Sequence, residues 1–121
     1  MNVFLDTNAI IYSFKQKLDL KYEIERILPG KKKIFLLTCV DEELRLKAKN
    51  DYAIIKKILE KNGVIITKVN KTGSVDDTLI HEASKIPDSV LITNDKELKQ
   101  KALKKRIKVI TVRQGKYLDF A

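Results

Sequence analysis

Phe4-Leu5-Asp6-Thr7-Asn8 (FLDTN) is the stretch that decides the fold, because a short apolar run ends there in a carboxylate. The apolar residues before Asp6 are typical of a buried strand, and a second apolar run, AIIYSF, follows directly. An aspartate in this place is either a helix N-cap or a ligand at the carboxyl end of a strand. The pattern of strands, helices and acidic residues in the rest of the sequence distinguishes between these two interpretations.

Short apolar runs alternate with amphipathic stretches along the whole chain. Buried strands are predicted at residues 3–5, 34–37, 64–66, 90–92 and 109–112. Apolar stripes at helical spacing lie between them, beginning at Leu20, Ile54, Val75 and Leu98, and two dipeptides, Pro29-Gly30 and Pro87-Asp88, predict helix ends. This alternation predicts an α/β fold: a single three-layer domain over residues 1–121, with a mostly parallel central sheet of about five strands.

The charge balance of the 121 residues is strongly basic. Twenty-five Lys and Arg stand against 16 Asp and Glu, a net charge of +9, and residues 96–108 contain seven basic residues but one acid, Glu97. A field of this sign attracts polyanions such as RNA or DNA. A lysine-rich soluble surface explains the same composition equally well, so charge alone does not decide the function.

Cysteine usage and hydropathy restrict the cellular setting. Cys39 is the single cysteine, so no internal disulfide can form, and a reducing environment is expected. No apolar run approaches the roughly 20 residues of a membrane span, and no secretory signal precedes the first predicted strand. We therefore expect a cytoplasmic protein without a membrane partner.

Acidic residues follow four of the predicted strands, at the sheet edge where ligands of α/β proteins bind. They are Asp6, the pair Glu42 and Glu43, the pair Asp76 and Asp77, and Asp95. Each acid alone would suit a helix N-terminus. Four converging carboxylates, however, repel one another unless a cation neutralises them, and Mg²⁺ or Mn²⁺ prefers carboxylate oxygens and water.

Helical geometry distinguishes the two acids of the pair Glu42 and Glu43, but not those of the pair Asp76 and Asp77. A helix that begins near Val40 turns Glu43 towards its apolar side and Glu42 about 100° away, towards solvent. This geometry favours Glu43. Asp76 lies on the apolar stripe of its helix and Asp77 lies at the edge of that stripe, so physical reasoning leaves both open.

Four segments together resemble the PIN-domain ribonucleases: FLDTN, TCVDEEL (38–44), DTLI (77–80) and LITND (91–95). The resemblance implies an endoribonuclease that hydrolyses RNA with Mg²⁺ or Mn²⁺ as cofactor. The catalytic and metal-binding residues that it implies are Asp6, Glu43, Asp77 and Asp95, with Asn8, Thr93 and Asn94 in support. Backbone contacts to RNA are expected from Lys96, Lys99, Lys101, Lys104, Lys105 and Arg106.

Two subfamilies of PIN nucleases resemble this chain. The VapC toxins share its length and ending. The archaeal relatives of a nuclease that trims small-subunit ribosomal RNA share the paired Asp-Asp and the basic segment TNDKELK (93–99), and the sequence is more similar to these. The first subfamily implies an antitoxin protein as partner and the second a pre-ribosome, and homodimers are common in the family.

Other functions fit the sequence less well. A haloacid-dehalogenase phosphatase requires a second aspartate where this chain has Asn8, and a response-regulator receiver requires its acid pair after the first strand. The remaining alternative is an RNA-binding or ribosome-assembly module with a PIN-like fold that does not cleave. Four acids in an RNA-binding cleft argue against it, because unneutralised anions weaken RNA binding.

Overall fold

A six-stranded sheet forms the centre of the computed structural model, which describes all 121 residues. The strands are β1 (Asn2–Leu5), β2 (Lys33–Leu37), β3 (Ile65–Thr67), β4 (Ser89–Ile92), β5 (Lys108–Arg113) and β6 (Tyr117–Phe120). Their order across the sheet is β3-β2-β1-β4-β5-β6, and β6 alone runs antiparallel to its neighbour. The predicted α/β class with a mostly parallel sheet is confirmed.

Six helices connect the strands. They are α1 (Thr7–Lys15), α2 (Leu20–Ile27), α3 (Thr38–Lys47), α4 (Tyr52–Lys61), α5 (Val75–Lys85) and α6 (Lys96–Lys104). Right-handed crossovers that lead to opposite sides of β1 place α1–α4 on one face of the sheet and α5–α6 on the other. Helices α2 and α5 end two residues before the prolines that were predicted to terminate them. None of the six helices has the length and apolar character of a membrane span.

The strand order reverses between β1 and β4. From β1 the chain proceeds to β2 and β3 on one side, and then crosses over to β4 and β5 on the other. Leu5 at the end of β1 is paired with Ile92 at the end of β4. The next residues, Asp6 and Thr93, therefore enter the crevice that such a reversal opens at the carboxyl edge of a parallel sheet.

Strands β1 and β4 are embedded in the hydrophobic core. All four residues of β4 are buried, as are Val3, Phe4 and Leu5 of β1. The ring of Phe4 stacks on that of Phe35 in β2, with 5.2 Å between ring centroids. Burial on both faces explains why these strands are continuous apolar runs rather than alternating ones.

The sixth strand was not predicted from the sequence. Its segment, Tyr117–Phe120, is interrupted by Asp119, so it lacks the apolar run by which the other strands were identified. The hairpin turn before it contains Gln114 and Gly115, both with positive φ. Asn-Gly and Asp-Gly are the common sequences for such turns, and Gln-Gly is a weaker signal. The strand predicted at 64–66 exists as β3, but the prediction that it is buried was wrong, because β3 lies at the other edge of the sheet with Ile65 and Ile66 44% and 43% exposed.

Helix α2 holds β6 through a buried carboxylate. Glu23 accepts a hydrogen bond from the Leu118 backbone N–H at 2.9 Å, and Arg26 donates to the Leu118 carbonyl at 2.6 Å. Arg26 also donates to Glu23 at 2.9 Å, so the pair replaces the strand partner that β6 lacks on its outer edge. The hydrogen bond from Arg26 holds the pKa of Glu23 below its usual value.

We expect Glu23→Ala to lower the free energy of unfolding by about 2 kcal/mol, because it leaves a buried N–H and a guanidinium without their acceptor. The loss should shrink as pH falls, since the low pKa of Glu23 stabilises the fold only while the carboxylate is ionised. Urea unfolding followed by circular dichroism measures both effects. Glu60→Ala, at an exposed glutamate without an ion pair, is the control, and an equal loss in both variants would contradict the role given to Glu23.

Candidate active site

Asp6 occupies the N-cap position of α1 but does not cap the helix. Its backbone is extended, with φ −87 and ψ 146, and its side chain makes no capping hydrogen bond to α1. One carboxylate oxygen instead accepts a hydrogen bond from the Thr93 hydroxyl at 2.8 Å. With 3% of its surface exposed, Asp6 is a buried acid held across the junction of β1 and β4.

Thr93 connects Asp6 to the start of α6. Its buried hydroxyl donates to Asp6 and accepts from the Asp95 backbone N–H at 3.1 Å. Asp95 in turn caps α6, because its Oδ1 accepts from the N–H groups of Glu97 and Leu98 at 2.8 and 3.0 Å. One carboxylate oxygen of Asp95 is thus fixed by the helix, and the other makes no hydrogen bond to the protein.

Helix α3 brings Glu43 to the same edge of the sheet. The helix begins at Thr38, two residues before the predicted start, and Glu43 still lies on its inner side. The Glu43 side chain is 29% exposed, whereas that of Glu42 is 65% exposed and pairs with Arg45 at 3.0 Å. Glu43 is therefore the acid of this pair that faces the site.

Helix α5 contributes Asp76 to the acid group, and Asp77 does not join it. The Asp77 carboxylate accepts a hydrogen bond from the Ser74 backbone N–H at 3.3 Å, and Ser74 Oγ accepts from the Asp77 N–H at 3.0 Å. This capping box points Asp77 towards solvent. The spacing Ser74-x-x-Asp77 was the sequence feature that could have distinguished the two acids.

Burial, and to a smaller extent the charges of neighbouring carboxylates, raise the pKa values of Asp6 and Asp76. Burial raises the pKa of Asp6 to about 6, with further contributions from the negative charges of Asp76 and Glu43. The pKa of Asp76 is also raised, first by burial and then by the charges of Asp95 and Glu43. The pKa of Asp77 is lowered by its hydrogen bonds to Ser74. Asp6, Glu43, Asp76 and Asp95 are called the acid group below.

The two predicted supporting asparagines lie at the margin of the acid group. Asn94 pairs with the backbone of Val112 through both ends of its amide, at 2.8 and 3.2 Å, and so joins the β4–α6 turn to β5. Asn8 is exposed in the first turn of α1, and its side chain makes no hydrogen bond. Of the predicted supporting residues, Thr93 alone contacts an acid directly with its side chain.

The basic residues predicted to bind RNA run along α6 away from the acid group. The Nζ of Lys101 lies 3.9 Å from Asp77, and its positive charge partly offsets the raised pKa of Asp76. Lys104, Lys105 and Arg106 are exposed at the far end of the helix, about 14 Å from its start. Lys96 is exposed and Lys99 half-buried at the beginning of the helix.

The acid group has the charge, but not a closed cage, for a divalent cation. No lysine or arginine lies within ion-pair distance of Asp6, Asp76 or Asp95, and Glu43 has only a weak contact with Lys47 at 3.9 Å. No three acidic, cysteine or histidine side chains are positioned to ligate one ion together. These residues fit Mg²⁺, which commonly binds one or two carboxylates and completes its coordination with water and substrate phosphates.

Buried Asp6 at the reversal of the sheet is thus grouped with Glu43 of α3, Asp76 of α5 and Asp95 at the start of α6. The chain belongs to the PIN-like domain family, whose model matches residues 3–115. Ribonuclease VapC4 of Methanocaldococcus jannaschii is 35% identical over 122 residues, which cover 94% of this chain and 92% of that protein. The structure of the PIN domain endonuclease Utp24 superposes with a TM-score of 0.83 at 26% identity, covering 98% of this chain and 90% of that one. The resemblance predicted from the sequence is confirmed.

We expect Asp6→Asn to raise the free energy of unfolding by about 2 kcal/mol at about pH 8, because the wild-type carboxylate is ionised and buried among like charges. Since the folded-state pKa is raised, wild-type stability should increase as pH falls through about 6, and the advantage of Asn should vanish below about pH 4. Urea unfolding of both proteins in EDTA, at several pH values, measures this difference in the free energy of unfolding. Asp77→Asn is the control and should bring no gain, and a destabilised Asp6→Asn at every pH would contradict the electrostatic account.

Proposed function

We propose that this chain is a divalent-metal-dependent endoribonuclease that uses Mg²⁺ or Mn²⁺ to hydrolyse RNA phosphodiester bonds. One observation carries the proposal: Asp6 is buried without a cationic partner, where Asp76 and Glu43 add further negative charge. Such a cluster is costly to the fold, and perturbed acids of this kind concentrate at functional sites. The names of the two relatives, a ribonuclease and an endonuclease, support the same conclusion.

The four acids would have different roles in metal binding, according to how deeply each is buried. Asp6 and Asp76 would be the principal metal ligands, and Glu43 and Asp95 would hold the metal through water or orient the attacking water. When bound, the cation supplies a nucleophile from water at neutral pH and stabilises the charge on the phosphate. Thr93 keeps Asp6 in place by donating to one oxygen, which leaves the other oxygen for the metal.

The proposed RNA path follows α6. Lys101 lies near Asp77 and Asp76, and Lys104, Lys105 and Arg106 extend the positive surface towards the far end of the helix. These charges would hold phosphates beyond the one that is cleaved. A module that only binds RNA would explain this basic surface, but it would not explain the buried, unpaired Asp6.

Two biological roles fit such a nuclease: a VapC-type toxin with an antitoxin partner, and a processing enzyme for ribosomal RNA. The 35% identity to ribonuclease VapC4 supports the first role. A toxin should arrest growth when expressed, in a manner that Asp6→Asn abolishes and a co-expressed antitoxin prevents. A processing enzyme should instead co-sediment with precursor ribosomal particles.

We expect cleavage of labelled RNA in Mn²⁺ or Mg²⁺ that EDTA stops, and at least a ~100-fold loss of rate in Asp6→Asn, because the principal ligand is removed. Asp76→Asn should lose far more activity than Asp77→Asn, a matched pair of neighbouring acids on one helix. Gel analysis of the products measures each rate. A greater loss in Asp77→Asn would return the third ligand to the residue that the family resemblance implies. Metal-dependent RNA binding without any product would favour the non-cleaving module.

Replacing Lys104, Lys105 and Arg106 by Gln should weaken RNA binding and flatten its salt dependence. For single-stranded RNA, each phosphate that is no longer neutralised reduces the slope of log K against log salt by about 0.7, so a total change of about 2 is expected. Filter binding at several salt concentrations measures the slope.

The matched control replaces Lys49, Lys57 and Lys61 by Gln, which removes the same charge from exposed lysines that make no ion pair. Equal changes of slope in the two triple variants would show that net charge, and not the surface of α6, determines RNA binding.

A further inference from the structure

A groove of about 410 Å³ opens beside the acid group and shares Glu43 with it. Its other walls are three apolar side chains, Cys39, Leu46 and Val75, together with Thr38, Glu42 and one base, Lys71. The Glu42 carboxylate is neutralised by its ion pair with Arg45 at 3.0 Å. Ligand sites of proteins typically combine an apolar lining with a few charged groups that set orientation, in volumes of about 300 Å³ or more. The groove has this composition and lies next to the proposed catalytic centre.

The loop that carries Lys71 is fastened on both sides of that residue. Thr38 at the start of α3 accepts a hydrogen bond from the Val69 N–H at 3.1 Å. The Thr72 N–H donates to the hydroxyl of Thr78, a fully buried residue of α5, at 2.8 Å. Both anchors belong to helices that also supply acids to the site, so Lys71 is held at a defined place relative to the acid group.

The side chains of the groove are available to a ligand. Lys71 is exposed and makes no ion pair, although Glu43 lines the same groove. Leu46 is 53% exposed, one turn after Glu43 on α3. A single exposed leucine is ordinary, but here it adjoins two further apolar groups and an unpaired cation. Apolar contact suits the face of a nucleobase, and the free ammonium suits a phosphate.

We propose that this groove binds the RNA nucleotide next to the scissile phosphate, with its base against Cys39, Leu46 and Val75 and its phosphate on Lys71. The assignment rests on the proposed nuclease function, because Glu43 is what connects the groove to the acid group. It makes the groove the determinant of which nucleotide stands beside the cleaved bond. Lys71 acts through binding and positioning, since its own charge is not part of the acid group.

The single cysteine of the chain permits a direct test by chemical protection. Cys39 is alkylated with N-ethylmaleimide in Ca²⁺, with and without a short single-stranded RNA that is checked to be intact afterwards. RNA at about ten times its Kd should slow alkylation about tenfold, because only the free fraction of protein reacts. In the double variant Cys39→Ser, Ala53→Cys, the thiol moves to an exposed position on α4, and RNA should not protect it.

Paired substitutions test the two halves of the groove. Leu46→Ala and Lys71→Gln should each weaken RNA binding about tenfold, because the first removes packing against the base and the second removes the cation that holds the phosphate. Ile54→Ala and Lys57→Gln make the same changes at exposed positions of α4 and should have little effect. Leu46→Ala should also alter the nucleotide preference at the cleavage site, which a general loss of stability would not do.

These experiments test RNA binding by the groove and nuclease activity independently of each other. If saturating RNA leaves the alkylation rate of Cys39 unchanged while metal-dependent cleavage is intact, the groove does not bind RNA, and the proposed nuclease function is unaffected. Protection of Cys39 without cleavage in any metal would overturn the nuclease and keep the groove as an RNA-binding site. A protein that binds no RNA in any test would overturn both.

Discussion

The parallel pairing of β1 with β4 is the constraint on which the rest of the molecule depends. These strands are distant in sequence, and each is buried in the core, so their register is fixed by packing on both faces. Because the strand order reverses between them, no connection covers their carboxyl ends. Asp6 and Thr93 lie in the resulting crevice and form the hydrogen bond from which the acid group and the start of α6 are both organised.

The acid group opposes the stability of the fold that positions it. A carboxylate that is almost fully buried, near two others and without a cationic partner, raises the free energy of the folded state whenever it is ionised. The continuous apolar core around β1 and β4 and the clasp of Glu23 on β6 supply stability elsewhere. Local conflict of this kind, inside an otherwise consistent structure, is characteristic of functional sites.

The helix N-termini around the site use their polar residues in two different ways. The Asp77 carboxylate takes part in the capping box of α5, and one oxygen of Asp95 caps α6, so each accepts hydrogen bonds from backbone N–H groups. Asp6 stands at an N-cap position without capping, and Asp76 is left free by its neighbour. Capping thus engages the Asp77 carboxylate and one oxygen of Asp95, whereas Asp76 and the second oxygen of Asp95 are left free of capping.

The sequence by itself determined the α/β class and the position of five of the six strands, because parallel strands are apolar runs whose carboxyl ends share one edge of the sheet. It also favoured Glu43 over Glu42, since helical periodicity is a local property. It did not determine burial at the edge, since β3 was predicted as buried but has Ile65 and Ile66 exposed. The spacing Ser74-x-x-Asp77 is a local signal that Asp77 caps its own helix. Only the tertiary structure decided that Asp76 lies near Asp6, that Tyr117–Phe120 forms a strand, and that Lys71 lines the same groove as Glu43. These features depend on side-chain hydrogen bonds and on contacts between residues far apart in the chain, and periodicity does not encode them.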